Sequence, residues 1–326
     1  MGDDEPAAEL GWDQQWAEWF ADVPGVPARV ARVDRGWVRV LRDGGELSVA
    51  APTDGTTPVT GDWVACRVDA PTPGLVSVAE RRTALTRRAP ADVAEPHDRT
   101  AHRGGGGPRS QTLAANMDQV WIVHSVDQPL RAGWLDRALV IAFGSGARPG
   151  VVVAKTDLGG DQDHRDHAAR VAELAPTMQV VSTSSVTGNG IDRLVTQLAN
   201  GRCAALLGRS GSGKSSLINA LVGRTAQRTA TVRAGDARGR HTTTRRSLTL
   251  VAGGTVIDTP GVRALGLWEP ATGLARTFPR ITELADECRF TDCTHRHEPG
   301  CAVRAAVDDG RVDPERFQRY ITLSDS

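Results

Sequence analysis

Lysine is almost missing from this chain. Of its 39 Lys and Arg residues, only Lys155 and Lys214 are lysine and the other 37 are arginine. A chain that avoids lysine is expected to keep it where a compact ammonium does what a planar guanidinium cannot. Net charge is lacking too, since 39 Asp and Glu balance 39 Lys and Arg. That balance excludes a protein basic over its whole surface and leaves local basic patches open. No apolar run approaches the roughly 18 residues of a transmembrane helix. The N-terminus, MGDDEPAAEL, is acidic and lacks the basic-then-apolar pattern of a secretory signal. Cysteines number five, three of them within residues 288–301, unlike the disulfide framework of a small secreted domain. The expectation is a soluble, cytoplasmic protein with no membrane partner.

The 326 residues suggest two or three domains. Residues 1–25 form an amphipathic segment in which Trp12, Trp16, Trp19 and Phe20 fall on one face of a short helix. That face is expected to pack on the neighbouring domain, with docking of a partner as the alternative. Residues 26–90 read as a small barrel of the oligonucleotide-binding (OB-like) kind. Val-rich runs at 28–33, 37–41, 47–50, 63–68 and 75–78 alternate with turns at Asp43-Gly44-Gly45 and Thr60-Gly61-Asp62. A basic, Gly-rich linker is placed at 91–112. Around it lie Arg81, Arg82, Arg87, Arg88, Arg99, Arg103 and Arg109, with His97, His102 and the glycines 104–107. It reads as a solvated connector or as a contact to a phosphate backbone. Residues 113–268 alternate strands (120–123, 150–153, 180–182, 204–207, 248–251, 255–257) with helices, the pattern of a doubly wound α/β sheet. Residues 269–326 form the C-terminal unit.

Both lysines fall in motifs that follow predicted strands. Gly208-Arg209-Ser210-Gly211-Ser212-Gly213-Lys214-Ser215 fits the phosphate-binding loop in every fixed position, and Ser216 opens a helix-like stretch. Its glycines let backbone N–H groups converge on phosphate oxygens, Lys214 reaches the β and γ phosphates, and the Ser215 hydroxyl ligates magnesium. The helix N-terminus adds a favourable dipole. Asp258-Thr259-Pro260-Gly261 is the expected partner motif: Asp258 can hold magnesium through water and the Gly261 N–H can meet the γ phosphate. Between them, Arg238-Gly239-Arg240-His241-Thr242-Thr243-Thr244 is a loop whose hydroxyl can complete the magnesium shell, Thr243 being preferred and Thr244 next.

The other lysine lies in Ala154-Lys155-Thr156-Asp157. Guanine recognition commonly uses Asn-Lys-x-Asp, in which the Asp accepts from base N1 and N2 and the Lys stem lies along the ring. Asp157 is present, while Ala154 stands in the Asn position. The lost amide bonds are worth of order 1 kcal/mol each. Ser184-Ser185 can supply a backbone N–H to guanine O6. These base motifs precede the phosphate loop, the reverse of the usual GTPase order, which is a circular permutation. Near the C-terminus, Cys288, Cys293, His295 and Cys301 have the spacing and donor set of a closed, structural zinc site, with His297 as a substitute ligand. Cys66 and Cys203 fall in predicted strands and read as buried apolar residues.

The overall pattern is a multidomain α/β chain: N-terminal OB-like β-barrel, central circularly permuted P-loop GTPase domain, C-terminal helical zinc-binding module. From about residue 26 onward it resembles the RsgA/YjeQ family of GTPases that depend on the small ribosomal subunit. The resemblance includes Ala114-Ala115-Asn116-Met117-Asp118-Gln119, the 239–244 loop, the 258–261 motif and Glu298-Pro299-Gly300-Cys301. It implies GTP hydrolysis stimulated by the 30S subunit, a role in late subunit maturation, and rRNA contact by the barrel and zinc module. One structural zinc, and magnesium with GTP, are the expected cofactors, and a monomer is expected. The departure is Ala154, where that family usually has Asn; it bears on GTP affinity and selectivity. Ras-like enzymes orient the attacking water with a Gln after Asp-x-x-Gly. Val262 occupies that place here, so slow intrinsic hydrolysis is expected, with a partner completing the site. His241 is the candidate for positioning water beside Lys214 and Thr243; contact with rRNA or with the fold is its alternative role. Two rival classes are a small-substrate kinase, against which the permuted order argues, and a nucleotide-binding RNA chaperone with negligible hydrolysis.

Overall fold

A computed structural model describes residues 8–43, 45–53, 55–89, 109–229, 246–259 and 266–325, and of 161–164 and 225–229 the backbone alone. The 90–108 stretch with His97, Arg99, His102 and Arg103 therefore lies outside the described residues. So do His241, Thr242, Thr243 and Thr244, and Gly261 and Val262.

Five strands close a barrel in the order β1-β2-β3-β5-β4. They are β1 (Val26–Asp34), β2 (Trp37–Arg42), β3 (Gly45–Ala50), β4 (Trp63–Arg67) and β5 (Gly74–Val78). Period-2 alternation aims Val38 and Val40 inward with Ala28, Val30, Val49 and Val64, while Trp37 and Arg39 face out. Helix α1 (Gln14–Phe20) is capped by the Asp13 carboxylate, which accepts from the Trp16 N–H at 2.9 Å. Its aromatic face packs on the barrel: Trp12 and Trp16 lie 5.1 and 5.9 Å from the Trp63 ring.

The stretch read as the edges of a linker is partly strand. β6 (Ala84–Arg88) pairs antiparallel with β7 (Ser110–Ala115), from Ala84 opposite Ala115 to Arg88 opposite Ser110. Leu85, Leu113 and Ala114 are buried in the main core, and Arg87 reaches across to the Gln111 amide oxygen. The arginines cover a ribbon there, which hid its strand character.

Six strands form the main sheet, in the order β10-β9-β8-β11-β13-β12: β8 (Gln119–Ser125), β9 (Arg148–Ala154), β10 (Val180–Ser182), β11 (Cys203–Leu207), β12 (Ser247–Val251) and β13 (Gly254–Asp258). All neighbours are parallel except β12, an antiparallel edge strand on β13. Helices α2 (Ala132–Gly144), α3 (Asp161–Leu174), α4 (Ile191–Leu198) and α5 (Lys214–Thr229) supply the crossovers. β8 is apolar throughout because both faces are covered. Val120 and Ile122 join the core with Leu135 and Leu139 of α2, whereas Trp121 and Val123 join Leu194 of α4 and Leu217 of α5.

Arg29 ties barrel to sheet. It is 1% exposed and donates to the Asn116 carbonyl at 2.6 Å, to the Leu10 carbonyl, and to the Thr255 hydroxyl of β13 at 3.4 Å. Helices α6 (Ala271–Thr277), α7 (Pro279–Ala285), α8 (Ala302–Asp308) and α9 (Pro314–Ser324) complete the chain. Of these, α6 and α9 pack against α2. A methyl group at Gly273 would lie 2.1 Å from the Val140 carbonyl oxygen, so only glycine permits this crossing. Arg319 of α9 donates to the buried Asp136 of α2 at 2.6 Å. Cys66 and Cys203 are buried in β4 and β11, and burial pushes the Cys66 thiol up to about 12.

Candidate nucleotide site and metal cluster

The motif residues described gather at the C-terminal ends of the parallel strands, where open α/β sheets bind ligands. The loop 208–213 joins β11 to α5. A methyl group at Gly208 would sit 2.6 Å from the Val123 carbonyl oxygen and 2.7 Å from Ser212 Oγ, so a side chain there is excluded. Gly211 and Gly213 have φ of +78° and +97°, the left-handed region that favours glycine. Ser212 is buried, Arg209 half-buried, and Ser210, Ser215 and Ser216 are exposed around the start of α5. Lys214 is buried, and its Nζ donates to the Gly208 and Arg209 carbonyls at 2.8 and 3.0 Å. Burial lowers its pKa and the Asp258 charge opposes that shift. Asp258 ends β13, in register with Leu206 of β11, and the Thr259 hydroxyl donates to the Leu206 carbonyl.

Beyond β8, on the far side from β11, β9 ends at the buried Ala154, followed by Lys155 in the left-handed region at φ +60°. The buried Thr156 donates its N–H to the Thr183 carbonyl at 3.1 Å, docking the motif on the loop after β10. Asp157 is exposed, and its carboxylate accepts from the Ser184 hydroxyl at 2.6 Å. Ser184 Oγ in turn accepts from the Val186 and Thr187 N–H groups at 3.2 and 3.1 Å. The Ser184 N–H is engaged with the Asn189 carbonyl at 3.0 Å, so its hydroxyl, which orients Asp157, is what it offers the site. Ser185 follows, half-buried.

The segment after β8 also enters this site, and no motif announced it. Asp127 accepts from Lys155 Nζ at 2.8 Å and from the Ser125 hydroxyl, and these two, Lys155 foremost, hold its carboxyl below the usual range. Gln128 Nε2 donates to the Ser210 carbonyl at 3.3 Å. Just before them, His124 is 3% exposed and stacked on His167, with centroids 4.9 Å apart and planes at 9°. Burial, with the His167 charge, pushes His124 down to about 4.

The second cluster lies between α7 and α8. The ligand atoms of Cys288, Cys293, His295 and Cys301 lie within 4.8 Å of one another. His295 Nδ1 is 3.6 Å from Cys288 Sγ and 3.5 Å from Cys301 Sγ, and those sulfurs are 3.9 Å apart. A tetrahedral ion with bonds of about 2.3 Å to sulfur and 2.0 Å to nitrogen sets S···S near 3.8 Å and S···N near 3.5 Å. The cluster therefore fits a metal ion. The Glu298 carboxylate braces it, accepting the N–H groups of Thr294, Arg296 and His297 at 2.9, 3.0 and 3.0 Å. His297 donates its backbone to that brace and is not a member of the cluster.

A sheet of this order, with a phosphate-type loop after its central strand and a guanine-type motif upstream of that loop, defines a circularly permuted GTPase. The family model described as RsgA GTPase matches residues 78–268. The small ribosomal subunit biogenesis GTPase RsgA of Opitutus terrae is 40% identical over 339 residues, covering 97% of this chain and 88% of that protein. The crystal structure of YjeQ from Thermotoga maritima is similar at 26% identity and TM-score 0.63, over 91% of this chain and 96% of that one. That of YloQ, titled a circularly permuted GTPase, gives 25% identity and TM-score 0.60, over 92% and 95%. The chain belongs to the RsgA GTPase family and is a GTP hydrolase. Among the described residues no helix is long and apolar enough to cross a membrane.

Proposed function

We propose that this chain binds the small (30S) ribosomal subunit, acts in its late maturation, and hydrolyses GTP to GDP and phosphate with subunit-stimulated turnover. The observation that carries this reading is the convergence of loop 208–215, Asp258 and motif 154–157 on one sheet edge in permuted order. The names of the relatives, small ribosomal subunit biogenesis GTPases, support the choice of partner.

In this reading the N–H groups of Gly208, Arg209, Ser210, Gly211, Ser212 and Gly213 and the start of α5 face the phosphates. Lys214 exchanges two loop carbonyls for β and γ oxygens. Ser215, Thr243 and Asp258 would hold magnesium, which would supply charge neutralisation at the phosphates. The Gly261 N–H meets the γ phosphate. Asp157, oriented by Ser184, accepts from base N1 and N2, Ser185 offers its N–H to O6, and Ala154, Lys155 and Thr156 line the base. His241 positions the attacking water in the subunit-bound state. Cys288, Cys293, His295 and Cys301 hold one structural zinc. rRNA contact falls to the barrel (26–90), where Trp37 is 47% exposed beside Arg39, to the linker (91–112) and to the zinc module (269–326). The segment 1–25 supports the barrel, and residues 113–268 are the GTPase unit of a cytoplasmic monomer.

The test is GTP hydrolysis with and without purified small subunits. Strong stimulation is expected, and His241→Ala should lose it while nucleotide affinity stays at the wild-type value. Turnover that subunits leave unchanged overturns the proposed subunit dependence; full stimulation of His241→Ala removes that residue from the mechanism.

A further inference from the structure

Ala154 itself has no side-chain group that can hydrogen-bond to the phosphate loop. Its methyl carbon lies 3.4 Å from where a Cβ on Gly213 would stand, and Lys155 Cγ and Cε lie 3.8 and 3.9 Å from the same point. Polar ties come instead from residues 126–128. The Val126 N–H donates to the Ala154 carbonyl at 3.1 Å, anchoring the segment to the end of β9. From there Asp127 takes the Lys155 ammonium at 2.8 Å and Gln128 takes the Ser210 carbonyl at 3.3 Å. Three consecutive residues, 126–128, thus reach both halves of the nucleotide site. Lys155 also sits at φ +60°, a conformation that a β-carbon-bearing residue keeps only when its surroundings hold it.

We propose that Asp127 and Gln128 are positioning residues of the nucleotide site. Asp127 fixes the Lys155 stem across the phosphate loop, and Gln128 tethers that loop, so that together they provide the brace a side-chain amide at 154 would provide. This rests on the nucleotide reading above. Asp127 acts through Lys155 and Gln128 through the Ser210 carbonyl, and neither is assigned a step in hydrolysis.

The experiment is equilibrium binding of a fluorescent GDP to the full chain, with melting temperatures measured in parallel. Asp127→Ala and Gln128→Ala are each expected to weaken binding about 3- to 10-fold, the range for loss of one hydrogen bond, and Asp127→Glu to recover part of the loss. The readout that a merely structural role does not move is the coupling to position 154. In an Ala154→Asn background, where an amide again reaches the loop, Gln128→Ala should weaken binding less than about 2-fold. Unchanged affinity in both single variants, or an equal Gln128→Ala penalty in the two backgrounds, overturns the proposal. A wild-type chain that does not prefer GDP to ADP instead overturns the nucleotide reading on which it rests.

Discussion

Replacing Arg319 by Met should destabilise the chain far more than a surface ion pair would. Asp136 is fully buried on α2, with one carboxylate oxygen accepting from Arg319 Nε at 2.6 Å; its other oxygen has no hydrogen-bond partner among the described residues. At an effective dielectric constant near 20, two charges about 4 Å apart attract by roughly 4 kcal/mol. Removing one partner of such a pair typically costs about 3–5 kcal/mol, because the remaining charge stays buried. For a unit of this size that corresponds to a fall of about 10 °C in melting temperature. Replacing both, Asp136→Leu with Arg319→Met, should recover most of the loss, since no charge is left behind. The pH dependence has a definite sign. Burial raises the Asp136 pKa and Arg319 opposes it. A carboxyl whose folded pKa is raised holds its proton better in the folded chain, so folding gains as pH falls through that pKa. The Arg319→Met deficit should therefore shrink between pH 7 and pH 5. A deficit below about 1 kcal/mol at pH 7, or one that grows on acidification, would refute the reasoning.

Two further perturbations follow. His124 is pushed down to about 4, against about 6.5 in an unfolded chain. Between those values the unfolded chain takes a proton the folded one refuses, so stability falls as pH is lowered across that window, by about 3 kcal/mol. His124→Gln should flatten the wild-type decline there, and parallel curves for the two chains would rule out the buried, neutral imidazole. For the cluster of Cys288, Cys293, His295 and Cys301, elemental analysis should find one zinc per chain. Cys293→Ser should lower both zinc content and melting temperature; a zinc-free chain that melts with the holoprotein would contradict a structural role.

Much of this architecture is legible in local pattern. The Val-rich alternation of 26–78 appears as barrel strands, and the glycine loop appears between β11 and α5 because its steric demands are local. What stayed hidden depends on long-range partners. The pairing of β6 with β7 joins residues such as Thr86 and Thr112 across an arginine-rich stretch, and charge masked the period-2 signal. The antiparallel edge strand β12 looks like its parallel neighbours, since direction leaves no mark on composition. Asp127 and Gln128 meet Lys155 and Ser210 only because β8, β9 and β11 adjoin in the sheet. Arg29 reads as one more arginine among 37 until Asn116, Leu10 and Thr255 surround it.

The central claim is that Asp157, reached from a motif upstream of the phosphate loop, reads a guanine base. The most direct measurement is equilibrium binding of GTP, ATP and XTP to the wild-type chain and to Asp157→Asn. A carboxylate accepts the N2 amino group of guanine, whereas an amide donates to the O2 carbonyl of xanthine. Mismatching one such buried contact costs about 1–3 kcal/mol, or roughly 10- to 100-fold. Wild type should therefore prefer GTP to both others, and Asp157→Asn should prefer XTP. A wild-type chain that binds ATP as well as GTP, or an Asp157→Asn variant that keeps the wild-type order, would contradict the account.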